Sequence, residues 1–423
     1  MRKILTKENI KKILFTLAIL FIYRIGSAIT VTGVNTEYLK YSIGNSSPLT
    51  MMNMLGGGAL ERMSVFALGI GPYITAGIII QLLSMDVVPY LTDAAKEGSK
   101  GRQKIENITR YLAIFLALVQ SISMVYGFDK QYGILEATGF INYLYVAIIL
   151  TAGTQLLVWL GDRISVHGIG NGISLIIFAG IVANIPSNFI QTFNVLVGAG
   201  EAQSQVFQGV LQFVLYCILY LVIIVGVVIM QLAVRKIPIQ YSKGVTTTSS
   251  NNTSFLPFKI NSASVIPVIF AGSVISAPQI ILSFINYEAY QKLSNFLSFN
   301  KPSGLIIYGV LIVLFTFFYT NLQLDPEEIS KNLQKQSANI IGIRPGSETK
   351  TYLKKVLNRI TVFGALALLF IAVLPHLITM FTSIPQSAAL GGTGIIIAVG
   401  VAMEVMNQLK SDSMAKNYGE FLR

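Results

Sequence analysis

Apolar residues in this chain gather into long runs separated by short polar breaks, near 13–31, 65–84, 111–127, 141–160, 169–185, 209–233, 262–283, 304–320, 356–376 and 389–406. Crossing a hydrocarbon layer of roughly 30 Å takes about 20 consecutive apolar residues in a helix, so the pattern predicts ten transmembrane helices rather than a soluble core. An even number of crossings puts both termini on one side. Lys and Arg settle which side: they crowd into the first twelve residues, into 85–110, 234–261 and 321–355, and into the tail 407–423. The alternate loops hold only Lys40, Arg62, Lys130, Lys292 and Lys301. Positive charge is retained on the cytoplasmic face, which predicts cytoplasmic termini and cytoplasmic basic loops.

Composition agrees. Hydrophobic types make up 53% of the 423 residues and charged types 12%, about half the share of a soluble domain. Topology accounts for most of the +12 net charge, so nucleic-acid binding is not needed to explain it. The basic start MRKILTKENIKK leads into an apolar stretch without a small-residue cleavage site before Tyr23-Arg24, and is read as a retained first helix. The single cysteine, Cys217, lies within an apolar run and is read as a small buried hydrophobe.

Ten helices divide into five and five: an N-terminal half over 1–185, a C-terminal half over 186–406 and a tail over 407–423, with 186–208 as the connector. The second helix of each half carries breakers, Gly69, Gly71 and Pro72 in one and Pro267 and Gly272 in the other, and both are expected to kink. The fifth helix opens with GIGNGIS and the tenth with GGTG. Matched interruptions point to an internal repeat with a transport path between its copies, although packing of small residues alone produces similar patterns. The segment 321–355 reads either as a solvated connector or as a docking surface for a cytosolic partner.

Catalytic chemistry is not in evidence. The sequence holds no GxxxxGK[ST], HExxH or GxSxG, and His167 and His376 are isolated. Neither a cofactor nor a metal is implied. The intramembrane ionisable residues are Arg24 and Glu404, few for an ion-coupled transporter, and isoleucines stand where such a protein places charge.

The stretches GIGPYITAGIIIQLL (69–83) and GIGNGISLIIFAGIVA (168–183) resemble signatures of the SecY family. The similarity continues in order through MNMLGGGALERMSVFALGI, EGSKGRQKIENITRY, VIPVIFA, FFYTNLQLDPEEISKNL, GIRPG and GGTGIIIAVGVAMEVMNQL, covering nearly the whole chain. The resemblance implies an all-α clam-shell of two pseudo-symmetric halves around a protein-conducting pore in the bacterial cytoplasmic membrane. Matching motif to motif puts an aliphatic constriction at Ile70, Ile74, Ile173, Ile177, Ile269 and Ile397. Such a ring dewets when empty and yields around a chain of any sequence.

By the same resemblance 48–66 is a plug, centred on Met54, Leu55, Gly56, Gly57 and Gly58. Helices two, three, seven and eight border a lateral gate through which signal sequences reach the lipid bilayer, with Gln81 and Gln120 as its polar contacts. Arg344 of GIRPG, with Arg235 and Lys236, falls where the family docks the SecA motor ATPase or the ribosome; SecE and SecG subunits and secretory precursor polypeptides complete the implied partners. Lys236 in place of a paired arginine, and a loop VTTTSSNNTSF poor in charge, leave room for an accessory paralogue with restricted cargo. A secondary transporter of small solutes is the reading that the repeat alone would allow, and an intramembrane enzyme the third.

Overall fold

The computed structural model describes residues 7–36, 53, 56–85, 87–137, 139–198, 203–241, 254–285, 292–293, 295–299, 301–381 and 386–421. The chain is mostly helical. In order run α1 (Lys7–Gly26), α2 (Gly71–Leu83), α3 (Pro89–Lys96), α4 (Ser99–Tyr132), α5 (Phe140–His167), α6 (Gly172–Leu196), α7 (Gln203–Leu232), β1 (Val234–Tyr241), β2 (Ser254–Lys259), α8 (Ile266–Ile285), α9 (Pro302–Gln323), α10 (Pro326–Lys335), β3 (Ala338–Ile340), α11 (Ser347–Phe381) and α12 (Gln386–Phe421). A helix lies on each apolar run. Among the described residues, α4, α5, α6, α7, α9 and α11 contain stretches long and apolar enough to cross a membrane, whereas α2 and the apolar opening of α8 (Ile266–Ser276) are shorter.

The helices pack in a closed circuit: α2 on α4, α4 on α5, α5 on α6, α6 on α12, α12 on α11, α11 on α9, α9 on α8, and α8 back on both α2 and α4. One large apolar cluster ties these helices together, drawing Tyr23 from α1, Leu157 and Ile164 from α5, Val227 from α7, Tyr308 and Ile312 from α9 and Leu368 from α11. Small residues set the close approaches. A Cβ on Gly153 of α5 would fall 1.9 Å from the Val65 carbonyl oxygen, and one on Gly101 of α4 would fall 1.7 Å from that of Ala94 in α3.

Four expectations change. The prolines do not kink α2 and α8 where expected: Pro72 and Pro267 are each the second residue of their helix, where a missing N–H costs no helical bond. Prolines do sit inside helices at Pro186, Pro278 and Pro375. The connector 186–208 is largely helical, because α6 runs through Pro186 to Leu196 and α7 starts at Gln203. GGTG does not open the last helix, which begins at Gln386.

The fourth change concerns the all-α reading: β1 and β2 pair with β3 in a three-stranded antiparallel sheet, β2-β1-β3, covered by α10 and the start of α11. Alternation in VRKIPIQY buries Ile237 and Ile239 on one face, opposite Leu256 and Ile340 in the register. With Phe258, Leu333, Leu353 and Leu357 they form a separate small core. Asp325 caps α10 by accepting from the Glu327 N–H at 2.8 Å.

Candidate functional site: ring, plug segment and cytosolic face

The six isoleucines come from four helices and belong to one apolar cluster, and Ile74, Ile173, Ile177 and Ile269 line one cavity. Ile70 immediately precedes α2 and Ile74 lies in its first turn. Ile173 and Ile177 stand one turn apart at the start of α6, Ile269 lies in the first turn of α8, and Ile397 belongs to α12. Ile70, Ile177, Ile269 and Ile397 are buried, at 5%, 4%, 6% and 0% exposure, and Ile74 and Ile173 are half-buried against them in the same cluster.

The GIGNG turn explains how α6 presents its pair. Asn171 Oδ1 accepts the N–H groups of Ile173 and Ser174 at 3.0 and 3.3 Å, capping the helix. A Cβ on Gly172 would lie 1.9 Å from the Gly161 carbonyl oxygen, so only glycine lets α6 start flush against α5. A cavity of about 330 Å³ abuts this cluster, lined by Ile74, Ile173, Ile177 and Ile269 together with Gln81, Arg102 and Glu106. Apolar groups and polar groups of α2 and α4 share its lining.

Of the two expected gate residues, Gln81 lines this cavity beside the α2–α8 contact, and its buried Oε1 has no hydrogen-bond partner among the described residues. Gln120 is buried on α4 and does not line the cavity.

Met54 and Leu55 lie outside the described residues. Gly56, Gly57 and Gly58 are buried, and Gly57 and Gly58 have φ of 71° and 81°, a left-handed backbone that side chains resist. Tyr23 Oη donates to the Gly56 carbonyl at 3.0 Å and Arg24 Nη1 to the Gly57 carbonyl at 2.8 Å. Sequence reasoning marked Arg24 only as an intramembrane charge and missed Tyr23. Contacts across 33 residues leave no local signal to find them by.

Arg235 and Lys236 are exposed on β1, opposite Phe258 and Pro257. Arg344 is exposed in the turn after β3, and its carbonyl accepts Thr349 Oγ1 at 2.8 Å. Antiparallel pairing of Ile239 with Ile340 directs the chain leaving β3 toward the end of β1 that carries Arg235 and Lys236. Nearby, Glu327 of α10 accepts from Lys331 Nζ at 2.9 Å and from Lys350 Nζ of α11. Those two lysine hydrogen bonds hold its carboxyl down at about 2. Arg235, Lys236 and Arg344 make no ion pair among the described residues, so this face presents positive charge to solvent.

Comparison with known proteins follows the same lines. A family model described as SecY matches residues 64–406. The protein translocase subunit SecY of Staphylococcus carnosus (strain TM300) is 44% identical over 421 residues, spanning 98% of this chain and 97% of that one. Two solved chains share the fold. One, described as a protein conducting channel, gives a TM-score of 0.67 at 21% identity, covering 96% of this chain and 93% of that one. The other comes from work on the SecY plug domain as stabiliser of the closed state and of the membrane seal, with a TM-score of 0.65 at 22% identity and the same coverage. This chain belongs to the SecY family.

Proposed function

We propose that the chain is the channel-forming subunit of a protein translocase, passing unfolded polypeptides across the bacterial cytoplasmic membrane and releasing apolar segments sideways into lipid. Ten crossings form two halves, α1–α6 without the amphipathic α3 and α7–α12 without α10, with both termini in the cytoplasm. The halves meet along two seams, α6 on α12 and α2 with α4 on α8. The second seam, extended by α9, is the lateral gate, with Gln81 on its wall.

The observation that carries this reading is the convergence of isoleucines from α2, α6, α8 and α12 inside a closed circuit of helices. Bulky aliphatic side chains make a constriction with no fixed hydrogen bonds to satisfy, so it blocks ions when dry and accepts any polypeptide sequence. The segment around Gly56–Gly58 is the plug on its outer side. Positive charge at Arg235, Lys236 and Arg344 suits a motor ATPase such as SecA or the ribosome, because guanidinium groups grip carboxylates and phosphates alike. SecE and SecG are the expected membrane partners. Work on the chain is mechanical rather than catalytic, and family membership removes the solute-transporter and intramembrane-enzyme alternatives.

The test is a disulfide trap. Cys217 is replaced by serine, cysteine is placed at Ile70 or Ile177, and a secretory precursor with a single cysteine is arrested midway through export. A crosslink whose position on the precursor shifts with the arrest point supports a polypeptide inside the ring. Crosslinking only to a control cysteine beside Arg344 sinks the pore assignment.

A further inference from the structure

Arg24 demands an account, because a cation within a membrane-spanning helix is expensive unless something holds it. Its place in the last turn of α1 satisfies the helix dipole, which is worth little by itself. No carboxylate pairs with it among the described residues; its Nη1 instead reaches the Gly57 carbonyl at 2.8 Å. The preceding residue, Tyr23, is 1% exposed, stacks its ring 6.1 Å from Phe66 and donates to the Gly56 carbonyl at 3.0 Å. Two consecutive side chains thus grip two consecutive backbone carbonyls.

The same segment also approaches α6. A Cβ on Gly57 would fall 2.9 Å from Tyr23 Oη and 3.0 Å from Gly180 Cα, and one on Gly58 would fall 3.3 Å from Asn184 Oδ1. The segment is therefore pressed between α1 and α6 with no room for a side chain at Gly57. It is also braced internally: Asn53 Nδ2 donates to Glu61 Oε2 at 3.2 Å, the Glu61 N–H to Asn53 Oδ1 at 3.0 Å, and the Gly58 N–H to the Asn53 carbonyl at 2.8 Å.

We infer that Tyr23 and Arg24 are the positioning residues of the plug, a clamp that sets how firmly the resting channel is closed, acting on the plug's backbone against Gly180. This rests on the plug reading given above. Because the clamp holds carbonyls, side chains elsewhere in the segment can change without loosening it. Displacing the plug strips the half-buried Arg24 of the Gly57 carbonyl, and water must take that carbonyl's place. The resting state is favoured by that cost.

The experiment measures resting conductance of the full chain, reconstituted in planar bilayers together with the small membrane subunits it is purified with, without precursor. Arg24→Gln and Tyr23→Phe are compared with Arg24→Lys, with a deletion of 54–60, and with Arg24→Gln in that deletion. A lost charged hydrogen bond raises the open fraction at least about tenfold. The expected result is a rise of that order for Arg24→Gln, a smaller rise for Tyr23→Phe, near-normal closure for Arg24→Lys, and no added leak from Arg24→Gln once the plug is deleted. Tyr23→Phe keeps the stack on Phe66, and so tests the clamp even if Arg24→Gln fails to fold. Wild-type conductance in both clamp variants, with a leaking deletion, overturns the clamp and leaves the plug. Added leak from Arg24→Gln in the deletion also overturns it, by locating the residue's effect elsewhere. A deletion that does not leak overturns the plug reading and the clamp with it.

Discussion

The proposed ring and the proposed cytosolic face are built on opposite plans. The proposed ring draws six isoleucines from four helices far apart in sequence, five of them at or near a helix start and Ile397 well inside α12. The cytosolic face is assembled from two loops that share a sheet, a helix and a small core of their own, with charges displayed on top. Apolar contact in the ring is interchangeable in chemistry but demanding in shape. On the cytosolic face the core supplies shape, and the exposed charges are free to serve recognition. The two should therefore fail independently, and differently.

The strongest break is a charge in the ring. Ile397→Asp puts a carboxylate where nothing is exposed, a burial that costs several kcal/mol, on the order of 3 or more, and draws in water. Resting ion leak across proteoliposomes should rise sharply while the cytosolic fold keeps its protease resistance. A ring that stays tight would show that Ile397 does not face the constriction.

Next in size is Leu353→Ala in the small core. Its side chain is fully buried among Leu333, Leu357 and Ile237, so the cavity costs about 2–5 kcal/mol. Limited proteolysis should open the 234–261 and 321–355 loops with no change in resting leak. Leak that rises in step with proteolysis would show that the two regions are one cooperative unit.

Charge reversal sharpens the contrast. Arg344→Glu combined with Arg235→Glu changes only exposed positions, so stability moves by no more than about 0.5 kcal/mol. Motor-driven or ribosome-coupled translocation should fall roughly tenfold, the size expected when a charged contact is reversed. Unchanged translocation, with normal melting, would remove these residues from the docking face.

The smallest effect is the pH dependence of the α10–α11 tie. Glu327 is held at about 2 against an ordinary 4.5, so its contribution is present above 4.5 and fades as pH falls through about 2. Docking of α10 should weaken over that acid window, and Glu327→Gln should abolish the dependence. Because the pair is solvent-exposed, high salt should mimic part of the loss.

Apolar runs were legible from the sequence alone, because run length against bilayer thickness is a one-dimensional test. The ring was not: an isoleucine facing a pore, a neighbour or lipid looks the same in sequence, and only resemblance singled out Ile70, Ile74, Ile173, Ile177, Ile269 and Ile397. Proline misled where position mattered more than type, since Pro72 and Pro267 occupy first turns. The sheet carried a readable alternation at Ile237 and Ile239, but its third strand lies about a hundred residues downstream, beyond any local window. Tyr23 and Arg24 were out of reach for the same reason.

One bond at the base of the hairpin gives the cytosolic face a mechanical sense. The Ile260 N–H donates to the Ala233 carbonyl at 2.9 Å, tying the end of α7 to the approach of α8. Gly364 of α11 sits under that junction, where a Cβ would fall 2.5 Å from the Ile260 carbonyl oxygen. The base of the strand pair is thereby seated on α11 at the point where the chain turns toward α8. On the docking proposed above, a partner that tilts the strands would act through this junction on α8, the helix that packs on α2.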